Sequence, residues 1–268
     1  MIARADAVIE PGGVLGELAC APPLTLRQVL GEAGDRCELC LVGTAAGPLP
    51  GDDLSISLRL RAGARATLRA AGASLAQGRS HPDDRAHEDY PGYPDPQDYL
   101  DHDGVAALSI RADLADGADL IADPGALIVC QGSRVSVRLE LALAAGAAVR
   151  WRELIVLGRT AEPPGQATLR WDVTRLGRPV LRQFVDLADP ALMAWAGLTA
   201  RRRVLACALV ADPASTPRTV AASPTAVAQR VDDHTLLVTV LDDDAARATR
   251  RLQDLCAQAS GGPLTPAV

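Results

Sequence analysis

The chain has 268 residues, 48% of them apolar, a formal net charge of −6 and no lysine. That length and apolar content fill a sizeable core as one large domain or two ordinary ones, which predicts a globular fold. The acidic balance argues against nucleic acid as the main partner, because phosphate binding needs a basic face. The short Arg201-Arg-Arg203 run reads as a solvated edge.

At the N-terminus, Arg4, Asp6 and Glu10 interrupt any apolar run, and no stretch approaches the roughly 20 apolar residues of a membrane span. The expectation is a cytoplasmic protein with no membrane partner. In that compartment the six cysteines read as reduced thiols rather than a disulfide framework. Residues 1–20 and 25–42 read as opening strands around the Pro22-Pro23 turn, and strands dominate to about residue 190. Within them a unit recurs three times: an alternating run, then Gly-Ala, then a second run. It is Leu54-Ser-Ile-Ser-Leu-Arg-Leu60 before Gly63-Ala64, Leu108-Ser-Ile-Arg-Ala112 before Gly117-Ala118, and Val135 to Leu143 before Gly146-Ala147. A period of two marks half-buried strands, and glycine supplies the backbone freedom of the turn. The fold class is therefore mainly β, a stack of strand pairs forming a scaffold.

Residues 79–103 break the rhythm and read as an inserted, dispensable loop of the 1–211 scaffold. Leu176-Gly-Arg-Pro179 separates the runs Leu169–Arg175 and Val180–Leu187 as a hairpin connection. A Pro/Ser/Thr linker over 212–224 precedes a small C-terminal part, 225–268. There His234–Leu241 is a strand and Ala245–Ala259 a helix, acidic at its start and stopped by Gly261-Gly262.

Candidate sites are few. Cys37-Glu-Leu-Cys40 has CxxC spacing, yet it has no second pair and lies in a strand, where i and i+3 face opposite ways; buried structural thiols are the favoured reading. Cys20, Cys130, Cys207 and Cys256 read as core. The loop histidines His81, His87 and His102 sit among carboxylates, a mixture that suits weak divalent-metal binding or a solvated loop. Asp52 stands at the entrance of the first repeat strand, either capping turn amides or serving as a transient ligand or an interface contact. Glu153 continues the alternation of Val149 and Trp151, so its carboxylate points inward, which is costly unless it is paired or faces water. Arg159 is the expected structural partner; the alternative is that Glu153 lines an internal polar passage. No catalytic nucleophile motif, phosphate loop or dinucleotide fingerprint occurs, and a non-enzyme is expected.

Several stretches in order resemble the urease accessory protein UreD (UreH) family, in its actinobacterial form. They are Leu41-Val-Gly-Thr-Ala-Ala-Gly-Pro-Leu-Pro-Gly-Asp-Asp-Leu54, Arg69 to Gly78, Asp123-Pro124, Trp151-Arg-Glu-Leu-Ile-Val-Leu-Gly-Arg159, Gly165-Gln-Ala167 and Gly177-Arg-Pro179. Pro50 replaces the glycine before the family aspartate, and 79–103 is inserted. The resemblance covers about residues 10–200. It implies a non-enzymatic, β-helical scaffold that holds apo-urease together with UreF and UreG, with no tightly bound cofactor and with nickel in transit. On that alignment Asp52 and Glu153 are the metal-transit candidates. A generic β-solenoid binding module, and less so a carbohydrate-active hydrolase, stand as alternatives.

Overall fold

The three Gly-Ala units become three strand pairs, each with one strand in either of two facing sheets. The computed structural model describes residues 1–29, 34–78 and 104–260. The units are β5 (Asp53–Leu60) with β6 (Arg65–Ala70), β8 (Ala106–Leu114) with β9 (Asp119–Asp123), and β11 (Arg134–Leu143) with β12 (Ala148–Leu157). The Gly-Ala turns do not close hairpins. They carry the chain from one sheet to the other, so β5, β8 and β11 pair in parallel, as do β6, β9 and β12. This is β-helical stacking. Gly63 and Gly117 hold the turns at φ +73° and +69°, where a side chain is strained. The turns also bond to each other: Gly63 N donates to Asp116 O at 2.9 Å, and Gly146 N to the Asp116 carboxylate at 2.8 Å.

Parallel β1 (Ile2–Glu10) and β13 (Gln166–Arg175) extend the first sheet on either side, and antiparallel β2 (Val14–Cys20) and β14 (Arg178–Leu187) finish it. Inward side chains therefore stack in rows across it, such as Ile56–Ile110–Leu139–Trp171. The outward rows are charged, with Arg138 beside Glu140 at 2.5 Å and Arg170 beside Asp172 at 2.6 Å. Between β13 and β14, Leu176 and Gly177 both take positive φ, the tight hairpin expected at that point.

In the second sheet, β3 (Leu24–Val29) is antiparallel to β4 (Cys37–Gly43), and β15 (Val204–Ala211) is antiparallel to β12. The short parallel strands β7 (Ser74–Ala76) and β10 (Ala126–Val129) join β12. The C-terminal part continues this sheet: β18 (Thr235–Asp242) pairs with β15, followed by β17 (Ala226–Arg230) and β16 (Val220–Ser223). β16 thus falls inside the segment read as a linker. Every residue of β15 is buried because the first sheet covers one face and a helix the other. That helix, α3 (Ala245–Ser260), turns Ala248, Leu252, Leu255, Cys256 and Ala259 onto Ala206, Ala208, Val210, Val238 and Val240. Two short helices, α1 (Pro190–Ala194) and α2 (Ala196–Thr199), link β14 to β15.

The entry to α3 is fastened by two carboxylates. Asp244 accepts from Arg247 N at 2.7 Å, an N-terminal cap. Asp242, itself buried, accepts from the amides of Asp243 and Asp244 at 2.7 and 3.1 Å and from the Arg247 guanidinium. These donors, the Arg247 side chain foremost, hold its carboxyl below the usual carboxylate range. Asp242→Ala strips partners from three donors at once and is expected to cost about 1–3 kcal/mol of stability, measured by denaturant titration. Because the folded pKa is depressed, this contribution is present above the unfolded carboxyl pKa and fades as acid protonates the folded group.

The thiols depart from expectation in one respect. Cys37, Cys130, Cys207 and Cys256 are buried and Cys40 is half-buried, but Cys20 is exposed, because β2 is an edge strand with little over it. Cys37 and Cys40 face opposite sides of β4 as free thiols.

Candidate functional site

Strand β12 alternates as its sequence requires. Val149, Trp151 and Glu153 point between the sheets, while Arg150 and Arg152 point out to Asp119, Asp212 and Asp123. The consequence is a carboxylate in the inter-sheet core, only 8% exposed. Its hydrogen-bond partner comes from the opposite sheet: the indole N–H of Trp171, on β13, donates to Glu153 Oε2. The second oxygen, Oε1, has no hydrogen-bond partner among the described residues. Burial pushes the Glu153 carboxyl up to about 7, and the Trp171 bond offsets only part of that. The indole N–H of Trp151, buried on the same face of β12, is also unpartnered.

Glu153 lines a cavity of about 70 Å³, room for a few waters. Apart from Ser74, the remaining wall is apolar side chain and turn backbone, including Leu24, Leu54, Ile110 and Leu127, and Glu153 is its one ionisable group among the described residues. Beside Glu153 on β15, directly across the antiparallel pairing, lies Cys207. Burial, reinforced by the neighbouring Glu153 charge, pushes the Cys207 thiol up to about 12.

Asp52 is placed differently. It is 4% exposed and accepts from Leu49 N at 2.9 Å, while its own N–H donates to Leu49 O at 3.0 Å. Its other oxygen receives the Met1 amino group at 2.7 Å. Of the two readings open for it, these contacts are those of a turn fastener. The turn it fastens supplies Gly47 and Pro48 to the cavity wall, so Asp52 borders the cavity through the backbone rather than through its carboxylate.

The expected Arg159–Glu153 pair is corrected. Gly158, at φ +83°, ends the alternation and turns Arg159 away from the interior. Its guanidinium, 64% exposed, donates to Glu162 at 2.9 Å. Trp171 takes the place assigned to Arg159. His81, His87 and His102 lie outside the described residues. Among the described residues no group of three or more His, Cys, Asp or Glu side chains converges on a metal-sized site. The geometry offers instead a single carboxylate on the cavity wall, tethered at one oxygen and open at the other.

Two partners of Glu153 escape the sequence. Trp171 is recognisably inward by alternation with Leu169 and Val173, but which inward residue meets Glu153 is decided by the packing of the sheets. Cys207 is set beside it by antiparallel pairing across a long connection.

Comparison with known proteins matches the chain to a family. The model of the UreD urease accessory protein family matches residues 5–265. Urease accessory protein UreD 1 of Saccharopolyspora erythraea is 33% identical over 79% of this chain and 77% of its own length. Urease accessory protein UreD of Parafrankia sp. is 31% identical over 96% of this chain and 88% of its own. The Streptomyces coelicolor UreD is 34% identical over 76% of this chain and 72% of its own. With its two stacked sheets and a match over nearly the whole length, the chain belongs to the UreD urease accessory protein family.

Proposed function

We propose that this chain is a non-catalytic scaffold of urease maturation, which binds apo-urease together with UreF and UreG and supports nickel insertion into the urease active site. The observation that carries the reading is Glu153: a buried carboxylate on the wall of an inter-sheet cavity, with one oxygen unengaged. A carrier of metal cargo must bind weakly enough to release it. One carboxylate in a largely apolar wall, with a proton competing for it near neutrality, meets that requirement, whereas a closed set of three or four ligands would trap the ion. Nickel is thus transient cargo, and no resident cofactor is needed.

Asp52 takes a second place in the same reading. It borders the path through the turn it fastens, and ligation there requires the Met1 amino group to give way. The cytoplasm is the compartment that suits such partners, and among the described residues no helix is long and apolar enough to cross a membrane. Of the alternatives, glycoside hydrolysis needs two carboxyl groups facing one cleft, and this cavity offers one. A generic β binding module shares the scaffold but would not select urease partners.

Affinity capture of the tagged chain, co-expressed with the urease subunits, UreF and UreG of its own genome, tests the reading. Co-purification of apo-urease with UreF is the expected result. A folded bait that retains neither would leave only the shared fold.

A further inference from the structure

We propose that the outer face of the first sheet carries a docking groove for an acidic segment of a partner protein of the maturation complex, held by Arg59 and Arg61. The inference rests on the scaffold reading and says where, and by what chemistry, one partner is held.

The groove follows from one outward row of the sheet. Arg59 on β5, Asp113 on β8, Ala142 on β11 and Thr174 on β13 are successive cross-strand neighbours near the carboxyl ends of these parallel strands. In the next row back, Arg111, Glu140, Asp172 and Arg182 cover the sheet with long side chains that pair with one another, Arg111 with Glu140 at 3.7 Å and Arg182 with Asp172 at 3.7 Å. At Ala142 and Thr174 the side chains shorten, and a groove of about 430 Å³ opens over them, bounded by the turn residues Ala115, Ala144 and Gly177. It crosses four strands spaced about 4.8 Å apart, so it spans roughly 14 Å, the length of roughly four or five extended residues.

The charge in this groove is unbalanced. The Asp113 carboxylate is taken by the Arg111 guanidinium in two hydrogen bonds, at 3.0 and 3.1 Å. The Arg59 side chain, exposed at the groove, has no ion-pair or hydrogen-bond partner among the described residues. Arg61, 61% exposed, reaches only Glu10, and at 3.6 Å that contact is longer than a hydrogen bond. Two guanidinium groups at one end of the groove are therefore left to bind carboxylates, which they match in planar, two-bond geometry. At the other end Leu176, 68% exposed at φ +52°, stands clear of the core beside Gly177 and supplies an apolar rim.

These features select a protein segment over a small anion. A ligand pocket encloses most of a small molecule, whereas here the charged groups stand on an open face. A segment with Asp or Glu side chains at one end and an apolar side chain at the other matches both ends of the groove. The local excess of positive charge also lets an acidic partner approach a chain whose net charge is −6.

The test is affinity capture from cells that co-express the tagged full chain with the urease subunits, UreF and UreG of its own genome. Arg59→Glu/Arg61→Glu is expected to lower recovery of the partner seated in the groove at least about 10-fold, with the neutral pair Arg59→Gln/Arg61→Gln intermediate. Arg134→Glu, the same kind of charge change on an exposed residue at the opposite end of β11, leaves recovery unchanged. Thermal unfolding is measured for each variant, and the glutamine pair is the one scored if the glutamate pair fails to fold. Full recovery of every partner by the scored pair, or an equal loss in Arg134→Glu, would overturn the groove and leave the scaffold reading standing. A folded parent that captures none of these proteins overturns both. Thermal stabilisation of the parent by sodium phosphate that disappears in the scored pair, with partner recovery undiminished, would reassign the groove to a small anion and so overturn the proposal as well.

Discussion

Glu153→Ala is expected to lower urease activation about 10- to 100-fold in cells co-expressing the urease operon, the scale of losing a metal-orienting group. The fold should survive the change. Glu153 contributes one hydrogen bond to the core, and removing it leaves an indole N–H without a partner but also relieves a buried carboxyl of its desolvation. The small void is flanked by a cavity that already exists. A drop in activation with unchanged solubility and thermal unfolding is therefore the signature of a transit ligand. Undiminished activation would remove Glu153 from the path.

The same carboxyl makes a second prediction, on stability. Its folded pKa is raised to about 7 from an ordinary 4.5. Between those values the unfolded chain gives up the proton and the folded chain retains it, so stability falls as pH rises through this window and levels off above about 7. At about 1.4 kcal/mol per pKa unit, the loss at and above neutral pH is on the order of 3 kcal/mol. Glu153→Gln cannot ionise, so it should be more stable than the parent by up to about that amount at pH 8 and nearly equal to it at pH 4. Denaturant titrations of both proteins across this range measure the difference. Parallel stability curves would mean that the carboxyl ionises in the folded state as readily as in the unfolded one. On these two predictions Glu153 lowers stability at neutral pH while serving metal transit.

The alternation of β5, β11 and β12 was legible because one face of each strand is core and the other is solvent or charge; Leu54-Ser-Ile-Ser-Leu-Arg-Leu60 buries each second residue. By the same logic Glu153 is inward and Arg150 outward. The Gly-Ala turns were legible as turns, but their destination was not. A local sequence specifies a reversal, whereas the choice between a hairpin and a crossing to a second sheet is made by which rows can stack. For that reason parallel register, Trp171 as the partner of Glu153 and Cys207 beside it emerge only from the fold. Arg159, expected to pair with Glu153, instead follows Gly158, whose positive φ ends the alternation and turns it outward to Glu162. Cys20 misled because its strand is the sheet edge, which leaves the residue exposed. Helix α3 was legible almost to the residue, since a 3.6-residue apolar period over 16 residues has little competition.

The most direct measurement is the nickel content of urease captured with the tagged chain from cells grown in limiting nickel, comparing the parent with Glu153→Ala at equal complex yield. Passage of metal by way of this carboxylate predicts equal recovery of urease, UreF and UreG, with nickel reduced about 10- to 100-fold in the variant. Equal nickel in both complexes would contradict it and leave the chain as a scaffold whose interior carries no metal.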